Sequence, residues 1–467
     1  MKIHKKHTYE RINNYIYIDL SREEMDRIIQ KELVNWKNRP DRKPLLIQGA
    51  RQVGKTYAIK AFGKSEFSQC IYLNFDENPE YKDFFKNTKE VSRIITTIEL
   101  AFGVKIEAKN TLLFFDEIQE CNEALNTLKY FHENHPEFYI CCAGSLLGVA
   151  LSRGNSFPVG KVDFCTMYPL TFEEFLKEAD PKLHTYYNSI ETLEPLPSFF
   201  FNQLLEKFKI YMLTGGMPEV IVTYLSTKNT EQVQKVMQTI LRAYPLDFSK
   251  YSSNKDVVKI MTIWNSIPSQ LAKENKKFLY QTVKSGARAR EYEDALNWLV
   301  NAGLVYKIYR NNKSAFPVSA YDDLNAFKIY LLDVGLLRRF ANLDPSIVLN
   351  GHSLFTEFKG SLTENYVLQS LLAQTEIIPR YWTSENMAEV DFILAFKNEI
   401  IPIEVKSGEN IKSKSLAIYR KTYQPRISIR FSLKNLSFDN GLLNIPLFLA
   451  DKALQLIEAV EKPLTHR

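Results

Sequence analysis

A glycine-rich segment near the amino terminus has the residue types and spacing of a phosphate-binding loop. It follows a short apolar stretch, fits the pattern G-x-x-x-x-G-K-T, and consists of Gly49, Ala50, Arg51, Gln52, Val53, Gly54, Lys55 and Thr56. Backbone N–H groups around such glycines point at phosphate oxygens, at the start of a helix whose dipole favours anions. In this pattern Lys55 reaches the β- and γ-phosphates, and Thr56 offers a hydroxyl ligand to Mg²⁺. The segment therefore predicts a site for ATP and Mg²⁺.

Two acidic residues complete this predicted site. Asp116 and Glu117 directly follow residues 111–115, which are apolar on both faces as in a central parallel strand. Asp116 is expected to hold Mg²⁺ with Thr56, and Glu117 to polarise the water that attacks the γ-phosphate. The spacing of loop and acids therefore predicts a Walker A and Walker B pair.

Further polar residues are candidates at the same site. Ser145 ends the fourth predicted strand and fits two roles: a sensor of the γ-phosphate or attacking water, or the N-cap of the next helix. The transition state also needs a cation, and Arg51, Arg153 and Lys161 are the candidates. Each of these three also fits a surface charge.

A second group of acids lies near the carboxy terminus. Glu364 falls in a predicted helix, and Asp391 opens a predicted strand. Glu404 and Lys406 are two residues apart on the return strand, so they share one face, and a hairpin places Asp391 beside them. Glu364, Asp391 and Glu404 would hold Mg²⁺, while Lys406 would activate water or neutralise a phosphate during phosphodiester cleavage. A surface ion pair is the alternative for Glu404 and Lys406.

The elements that must position these residues follow from apolar runs. Predicted strands at 44–47, 71–75, 111–115 and 138–143 alternate with helical segments, which implies a parallel sheet with helices on both sides. Residues 171–249 are mostly helical in pattern. Residues 256–310 fit three short helices and a strand, a layout that suits a winged-helix unit.

Composition narrows the class of protein. The chain has 467 residues, which exceeds one hydrophobic core, and a net charge of +6. No secretory signal, long apolar span or CxxC pair is evident, and five cysteines are present, so we expect a cytoplasmic protein without a membrane segment, disulfides or a zinc site. Residues 406–434 hold eight Lys or Arg against one acid, which fits either a nucleic-acid backbone or a solvated face.

These motifs together resemble a large family of bacterial and archaeal AAA+-type ATPases with a carboxy-terminal domain related to the PD-(D/E)xK nucleases. The resemblance runs nearly end to end. Its segments are Gly-Ala-Arg-Gln-Val-Gly-Lys-Thr at 49–56, Phe-Asp-Glu-Ile-Gln at 115–119, Ala-Gly-Ser at 143–145, Tyr-Pro-Leu-Thr-Phe-Glu-Glu-Phe at 168–175, Gly-Gly-Met-Pro-Glu at 215–219, Tyr-Leu-Leu-Asp-Val-Gly-Leu-Leu at 330–337 and Glu-Val-Lys-Ser-Gly at 404–408. Many relatives have Gly-Arg where this chain has Gly160-Lys161, which weakens an arginine-finger role there because lysine lacks the guanidinium fork.

The resemblance implies an α/β fold with four regions. A P-loop NTPase (AAA+-like) parallel sheet is expected at 1–180, a helical lid at 181–255, a winged-helix-like region at 256–340, and an α/β nuclease-like domain at 341–467. In the nuclease-like domain, Asp391, Glu404 and Lys406 match the D…ExK pattern, with Glu364 as the helix acid.

Three functional hypotheses follow. The first is an ATPase coupled to a nuclease-like domain that binds or cleaves DNA or another nucleic acid. The second is a nucleotide switch of the signal-transduction type, whose carboxy-terminal domain docks a protein partner without catalysis. The third, a ring-shaped oligomer that remodels proteins, ranks last because no pore-loop pattern is evident.

Overall fold

The computed structural model describes residues 25–145, 157–251, 254–272, 277–346, 356–384, 388–408 and 413–461. The chain divides into two compact units, Met1–Met167 and Tyr168–Arg467. None of the helices in these described ranges is both long and apolar enough to cross a membrane. The four-region division expected from the sequence stays a prediction.

The first unit is built on a five-stranded parallel sheet. Its strands are β1 (Leu45–Gly49), β2 (Gln69–Asn74), β3 (Thr111–Asp116), β4 (Tyr139–Ser145) and β5 (Asp163–Thr166). Their spatial order is β2-β3-β4-β1-β5, and every neighbouring pair is parallel. Strand β4 therefore separates the strand before the glycine loop from the strand before the acids, and the carboxyl ends of all three meet at one edge of the sheet.

One helix precedes these strands and others connect them, as the alternating pattern predicted. They are α1 (Ile29–Asn38), α2 (Lys55–Glu66), α3 (Asp83–Lys86), α4 (Val91–Phe102) and α5 (Asn122–Asn134). Apolar residues of α4 and α5 pack on one face of the sheet, where Leu73, Leu113 and Phe115 are fully buried. The sequence pattern from Ser21 to Trp36 predicts an amphipathic helix with Ser21 as its N-cap, and the start of that helix lies outside the described residues, which begin at Met25.

The second unit begins with helices. They are α6 (Phe172–Ala179), α7 (Pro181–Asn188), α8 (Ser198–Thr214), α9 (Pro218–Thr227), α10 (Thr230–Tyr251), α11 (Asn254–Leu271), α12 (Tyr280–Val283) and α13 (Ala289–Asn301). Thr171 and Glu174 form a capping box at the start of α6, which satisfies two backbone donors reciprocally. The helical character predicted for residues 171–249 is confirmed.

An eight-stranded mixed sheet follows in the second unit. Its strands are β6 (Val305–Asn311), β7 (Asp322–Leu331), β8 (Arg380–Thr383), β9 (Glu389–Phe396), β10 (Glu399–Val405), β11 (Ser428–Ser432), β12 (Ser437–Asp439) and β13 (Leu442–Pro446), in the spatial order β12-β13-β11-β10-β9-β8-β6-β7. Helices α14 (Val334–Phe340), α15 (Thr356–Gln374), α16 (Lys414–Tyr423) and α17 (Ala453–Glu461) complete the unit. The β6–β7 hairpin of the predicted winged-helix region thus shares one sheet with the strands of the predicted nuclease-like region.

Candidate functional site

The glycine loop joins β1 to α2 in a conformation that suits phosphate. Gln52 and Gly54 have positive φ angles of 65° and 95°, and Lys55 begins α2. A Cβ atom at Gly49 would lie 2.3 Å from the carbonyl oxygen of Met167, so only glycine fits there. The strand, loop and helix expected around the motif are confirmed, and the first turn of α2 leaves backbone N–H groups available to an anion.

Lys55 lies over this loop with its ammonium group inside the site. Its Nζ donates to the carbonyl oxygens of Gly49 and Ala50, both at 2.9 Å. Burial lowers the pKa of Lys55 to about 8, although Glu117 and Asp116 act to raise it. The side chain is therefore a desolvated cation close to neutral pH, held by carbonyls that a phosphate group can replace.

Asp116 ends β3 and contacts the helix that follows the glycine loop. It is only 3% exposed, and its Oδ2 accepts hydrogen bonds from Thr56 Oγ1 at 2.8 Å and Tyr72 Oη at 2.9 Å. Burial raises the pKa of Asp116, while the hydrogen bond from Thr56 acts to lower it. Thr56 and Asp116 thus present adjacent oxygen atoms, the ligand type that Mg²⁺ prefers. These two residues fit a magnesium ion, and when bound it would neutralise charge on the phosphates.

Glu117 occupies an unusual backbone conformation directly after Asp116. Its φ of 50° and ψ of 47° are left-handed, a region that few non-glycine residues adopt. A single helical turn over Ile118–Glu120 follows, and the side chain of Gln119 donates from Nε2 to Glu117 Oε2. Such strained positions cluster at functional sites, which fits the predicted role of Glu117 beside the attacking water.

The other candidates at this site have different outcomes. Ser145 is the last residue of β4, where it pairs in register with Gly49, but its side chain lies outside the described part of the chain. Arg153 also lies outside it. Lys161 Nζ forms an ion pair with Glu133 at 2.8 Å. The roles proposed for Ser145 and for these cations stay predictions.

Two residues join the site that the sequence did not single out. Tyr72 on β2 donates to Asp116 and accepts a hydrogen bond from Asn74 Nδ2 at 3.0 Å. Arg27 is 6% exposed and donates from Nη1 to the loop carbonyl of Val53 at 2.9 Å. The contact of Arg27 spans 26 residues of sequence, and that of Tyr72 depends on strand register, so neither is visible as a linear motif.

The predicted carboxy-terminal site lies within the second unit, where β9 and β10 diverge. These strands pair antiparallel from Glu399–Phe396 to Ile403–Phe392, confirming the expected hairpin, and β10 then continues beside β11. At the divergence Asp391 Oδ2 accepts the backbone N–H of Val405 at 2.7 Å. The Asp391 carboxylate therefore accepts the Val405 N–H in place of a backbone carbonyl, at the point where the two strands separate.

The other predicted residues take part in an ion pair and a hydrogen bond. Lys406 Nζ pairs with Glu404 Oε1, and Glu364 on α15 accepts from Tyr330 Oη at 3.3 Å. Burial acts to lower the pKa of Lys406, but Glu404, Asp391 and Glu364 raise it overall. Lys406 is thus close enough to interact electrostatically with all three predicted carboxylates.

A second lysine of this cluster comes from β7. The Lys328 side chain is 1% exposed and pairs with Glu389. Burial acts to lower the pKa of Lys328, but Glu389, Glu364 and Asp391 raise it overall. Lys328 lies far from these acids in the sequence. Its neighbours Phe327 and Ile329 are apolar, so the sequence did not indicate that Lys328 joins a cluster of charged residues.

The metal role of Glu364, Asp391 and Glu404 stays a prediction. Across the described ranges, the structure contains no group of three or more His, Cys, Asp or Glu side chains that could hold a metal ion. Glu404 is 4% exposed, and its Oε2 atom has no hydrogen-bond partner among the described residues. The arrangement is an ion-paired acid–lysine cluster with one buried carboxylate oxygen left over.

Three protein families match successive segments of the chain. A family described as an AAA domain matches residues 41–176. Two families described as domains of unknown function match residues 205–347 and 359–449, so neither supports the nuclease-like interpretation. No curated protein matches the chain.

Several solved structures show a limited similarity to this chain. A Walker-type ATPase of Pyrococcus abyssi has a TM-score of 0.42 at 13% identity, covering 69% of this chain and 99% of its own. A RuvB protein of Thermotoga maritima has a TM-score of 0.30 at 15% identity, covering 60% and 88%. The Drosophila ORC bound to DNA has a TM-score of 0.26 at 12% identity, covering 73% and 94%.

The first unit combines the geometry of a nucleotide site with a family match. The parallel sheet, the glycine loop before α2 and the Thr56–Asp116 contact occur together inside the matched segment. Residues 41–176 match a family described as an AAA domain, and the parallel sheet and glycine loop within them have the P-loop NTPase fold.

Proposed function

We propose that this protein is a Mg²⁺-dependent ATPase whose nucleotide state controls a carboxy-terminal domain that binds nucleic acid. The observation that carries the proposal is the 2.8 Å contact between Thr56 Oγ1 and Asp116 Oδ2, close to the half-buried side chain of Lys55. A hydroxyl from α2 and a carboxylate from β3 meet there at the amino end of a helix, which is the arrangement that binds Mg²⁺ beside the phosphates in P-loop NTPases.

Each residue of the proposed ATPase has a distinct task. The backbone N–H groups from Gly49 to Thr56 bind phosphate oxygens, and Lys55 leaves its loop carbonyls to contact the β- and γ-phosphates. Thr56 and Asp116 would hold the magnesium ion, which would neutralise charge on the phosphates. Glu117 orients the attacking water and accepts its proton, which contributes about 10²–10⁴-fold to such reactions.

Two features of the second unit support nucleic-acid binding by the carboxy-terminal domain. Asp391, Glu404 and Lys406 lie at one strand divergence, with Glu364 near enough to influence Lys406. Basic side chains follow directly on α16, where Lys414 and Lys421 are exposed. A phosphate backbone is the partner that such cations attract. Cleavage at the acids is the further step that the PD-(D/E)xK resemblance implies.

A specific observation favours the second candidate function, a nucleotide switch that docks a protein. Glu404 and Lys406 form an ion pair, and the described residues hold no metal-binding group of three acids. A self-neutralised cluster of this kind suits a non-catalytic docking domain.

One experiment separates these functions. We would measure Mg²⁺-dependent ATP turnover of the wild type and of Lys55→Ala, each with and without duplex or single-stranded DNA, and score cleavage in the same tubes on gels. The proposal expects DNA to raise turnover in the wild type and in Lys64→Ala, but not in Lys55→Ala. Lys64→Ala is the matched control, since this lysine lies in the last turn of α2, at the opposite end from Lys55.

The outcomes are distinct. If cleavage occurs and is lost in Asp391→Ala, the domain is a nuclease as well as a binding module. Turnover without any response to DNA, together with no cleavage, would replace the proposal by the protein-docking switch. Absence of Lys55-dependent turnover would refute the ATPase itself.

A further inference from the structure

Arg27 lies in the segment before α1 and reaches the glycine loop with its side chain. Met25, in the same segment, donates its backbone N–H to Tyr57 Oη at 2.9 Å, so the segment lies against the first turn of α2. Arg27 is 6% exposed, and its Nη1 donates to the carbonyl oxygen of Val53 at 2.9 Å. Arginine is seldom buried without a specific partner. A buried guanidinium is therefore fixed on one peptide group of the loop.

The peptide group between Val53 and Gly54 carries both the carbonyl that Arg27 holds and the N–H of Gly54. This peptide is trans, so its C=O and N–H bonds lie in one plane and point in opposite directions. A donor that holds the Val53 carbonyl on one side therefore directs the Gly54 N–H to the other side. The direction of a donor inside the loop is thus set by a side chain outside the loop.

The N–H of Gly54 belongs to the concave side of the loop, where phosphate is expected. Gly54 is left-handed, with φ 95° and ψ 23°, and Lys55 begins the right-handed helix α2. Turns of this kind direct successive N–H groups into one concavity that binds anions. Gly54 is partly exposed, and its exposed atoms belong to the backbone because glycine has no side chain. Within the described residues its N–H makes no hydrogen bond, so it gives up no internal partner when phosphate binds.

Glycine makes this peptide group free to turn over unless something holds it. Gly54 can adopt φ angles of either sign at little cost, so the peptide between Val53 and Gly54 could rotate and direct the Val53 carbonyl into the loop. A carbonyl oxygen in that place would repel phosphate, and one N–H donor would be lost. The hydrogen bond from Arg27 stabilises the opposite orientation, in which the N–H faces the concavity.

We propose that Arg27 is a positioning residue that holds the Gly54 N–H toward the phosphates of ATP. It contacts the loop from the carbonyl side and acts through the peptide between Val53 and Gly54. The charge of Arg27 acts in the same direction, because a cation near the loop attracts phosphate at long range. The inference rests on the proposed ATPase function, and it names the contact that keeps the phosphate loop in its binding conformation.

The test compares Arg27→Met with the wild type in ATP binding and turnover. Methionine keeps an apolar stem and removes the donors, so we expect the Kd and the KM for ATP to rise on the order of tenfold, the effect of one hydrogen bond to a charged group. The kcat at saturating ATP should stay within about twofold, because a contact made equally in the ground and transition states changes KM alone. Arg42→Met is the matched control, since Arg42 also donates to backbone carbonyls, those of Pro136 and Glu137 before β4, at 3.1 and 3.4 Å.

Inorganic tripolyphosphate supplies a readout that a structural role would not change. It carries phosphates without a nucleoside, and it should displace a fluorescent ATP analogue from the wild type. Its inhibition constant should rise in Arg27→Met by the same factor as the Kd for ATP, because both ligands need the Gly54 N–H. Arg27→Lys keeps a cation that can donate to the Val53 carbonyl but lacks the guanidinium fork, so its constants should lie between those of the wild type and Arg27→Met.

The outcomes distinguish this inference from the proposed function. Wild-type constants for ATP and tripolyphosphate in Arg27→Met would overturn the inference and leave the ATPase standing. A loss of affinity for ATP that tripolyphosphate does not share would place Arg27 at the nucleoside end, which also overturns it. A lower kcat and melting temperature at unchanged KM, or failure of both Arg27 variants to fold, would show a structural role instead. If the wild type binds neither ATP nor tripolyphosphate, the proposed function fails as well.

Discussion

Replacing Tyr72 by Phe tests how Asp116 is held. The substitution removes one hydroxyl, which donates to Asp116 Oδ2 at 2.9 Å and accepts from Asn74 at 3.0 Å, and leaves the ring in place. Asp116 keeps the hydrogen bond from Thr56 at 2.8 Å and the backbone N–H of Glu117 at 3.0 Å. The carboxylate therefore loses one of three donors, and its magnesium-binding form is less well stabilised.

The magnitude follows from the type of bond. A hydrogen bond to a charged group contributes about 1.5–3 kcal/mol, and the half-buried position of Tyr72 favours the lower end. A free-energy change of about 1.4 kcal/mol corresponds to a tenfold change in an equilibrium constant. This agrees with the roughly 10–100-fold loss of metal affinity that follows when a hydrogen-bond partner of a metal ligand is removed. We expect the Mg²⁺ concentration for half-maximal turnover to rise about tenfold.

The assay is ATP turnover across a Mg²⁺ titration at fixed ATP. At saturating Mg²⁺ the kcat of Tyr72→Phe should approach that of the wild type, because Tyr72 touches no reacting atom. Tyr130→Phe, a change on α5 in the same unit, should leave the titration unchanged. A Mg²⁺ curve for Tyr72→Phe that overlays the wild type would refute the idea that Tyr72 supports the metal ligand.

Three further changes have defined outcomes. Because the pKa of Lys55 is lowered to about 8 by burial, ATP affinity should fall about tenfold per pH unit above that value as the ammonium is lost, and Lys55→Arg should flatten this dependence in a binding titration. Gly49→Ala places a Cβ 2.3 Å from a backbone carbonyl oxygen, so denaturant melts should show a loss of about 1–3 kcal/mol or more, against about 1–2 kcal/mol for Gly103→Ala, which is strained but meets no atom. Lys328→Met leaves Glu389 and the nearby acids without their buried cation, so it should lower the free energy of unfolding by about 3 kcal/mol. The double variant Lys328→Met with Glu389→Gln should recover part of that loss. Equal stability of the single and the double variant would contradict a stabilising ion pair between Lys328 and Glu389.

Local patterns made the ATP site predictable. The glycine loop is a contiguous motif, and its bounds in the sequence match the link between β1 and α2. The apolar run before Asp116 predicted a central strand, and all six residues of β3 are buried. Burial on both faces leaves a continuous apolar signal, so such strands are visible without any knowledge of their neighbours.

Strand order and register decided the partners of those residues. Parallel pairing sets Tyr72 opposite Phe114 and Asn74 opposite Asp116, which puts the phenol and the Asp116 carboxylate on one face. A one-residue slip would turn Tyr72 to the other face. No single segment of sequence specifies that register, and so Tyr72 was missed while Asp116 was found.

The carboxy-terminal region shows the same division between local and long-range information. The β9–β10 hairpin is local, and it was predicted from the strand that opens at Asp391 and the return strand that carries Glu404 and Lys406. Lys328 joins the acids only because β6 and β7 extend the sheet that contains β9 and β10. The sequence by itself determined the phosphate loop, its acids and the hairpin, since each is encoded by neighbouring residues. Tertiary structure alone decided which distant side chains contact Asp116 and surround Glu364 and Asp391, because those contacts depend on pairings between strands far apart in the chain.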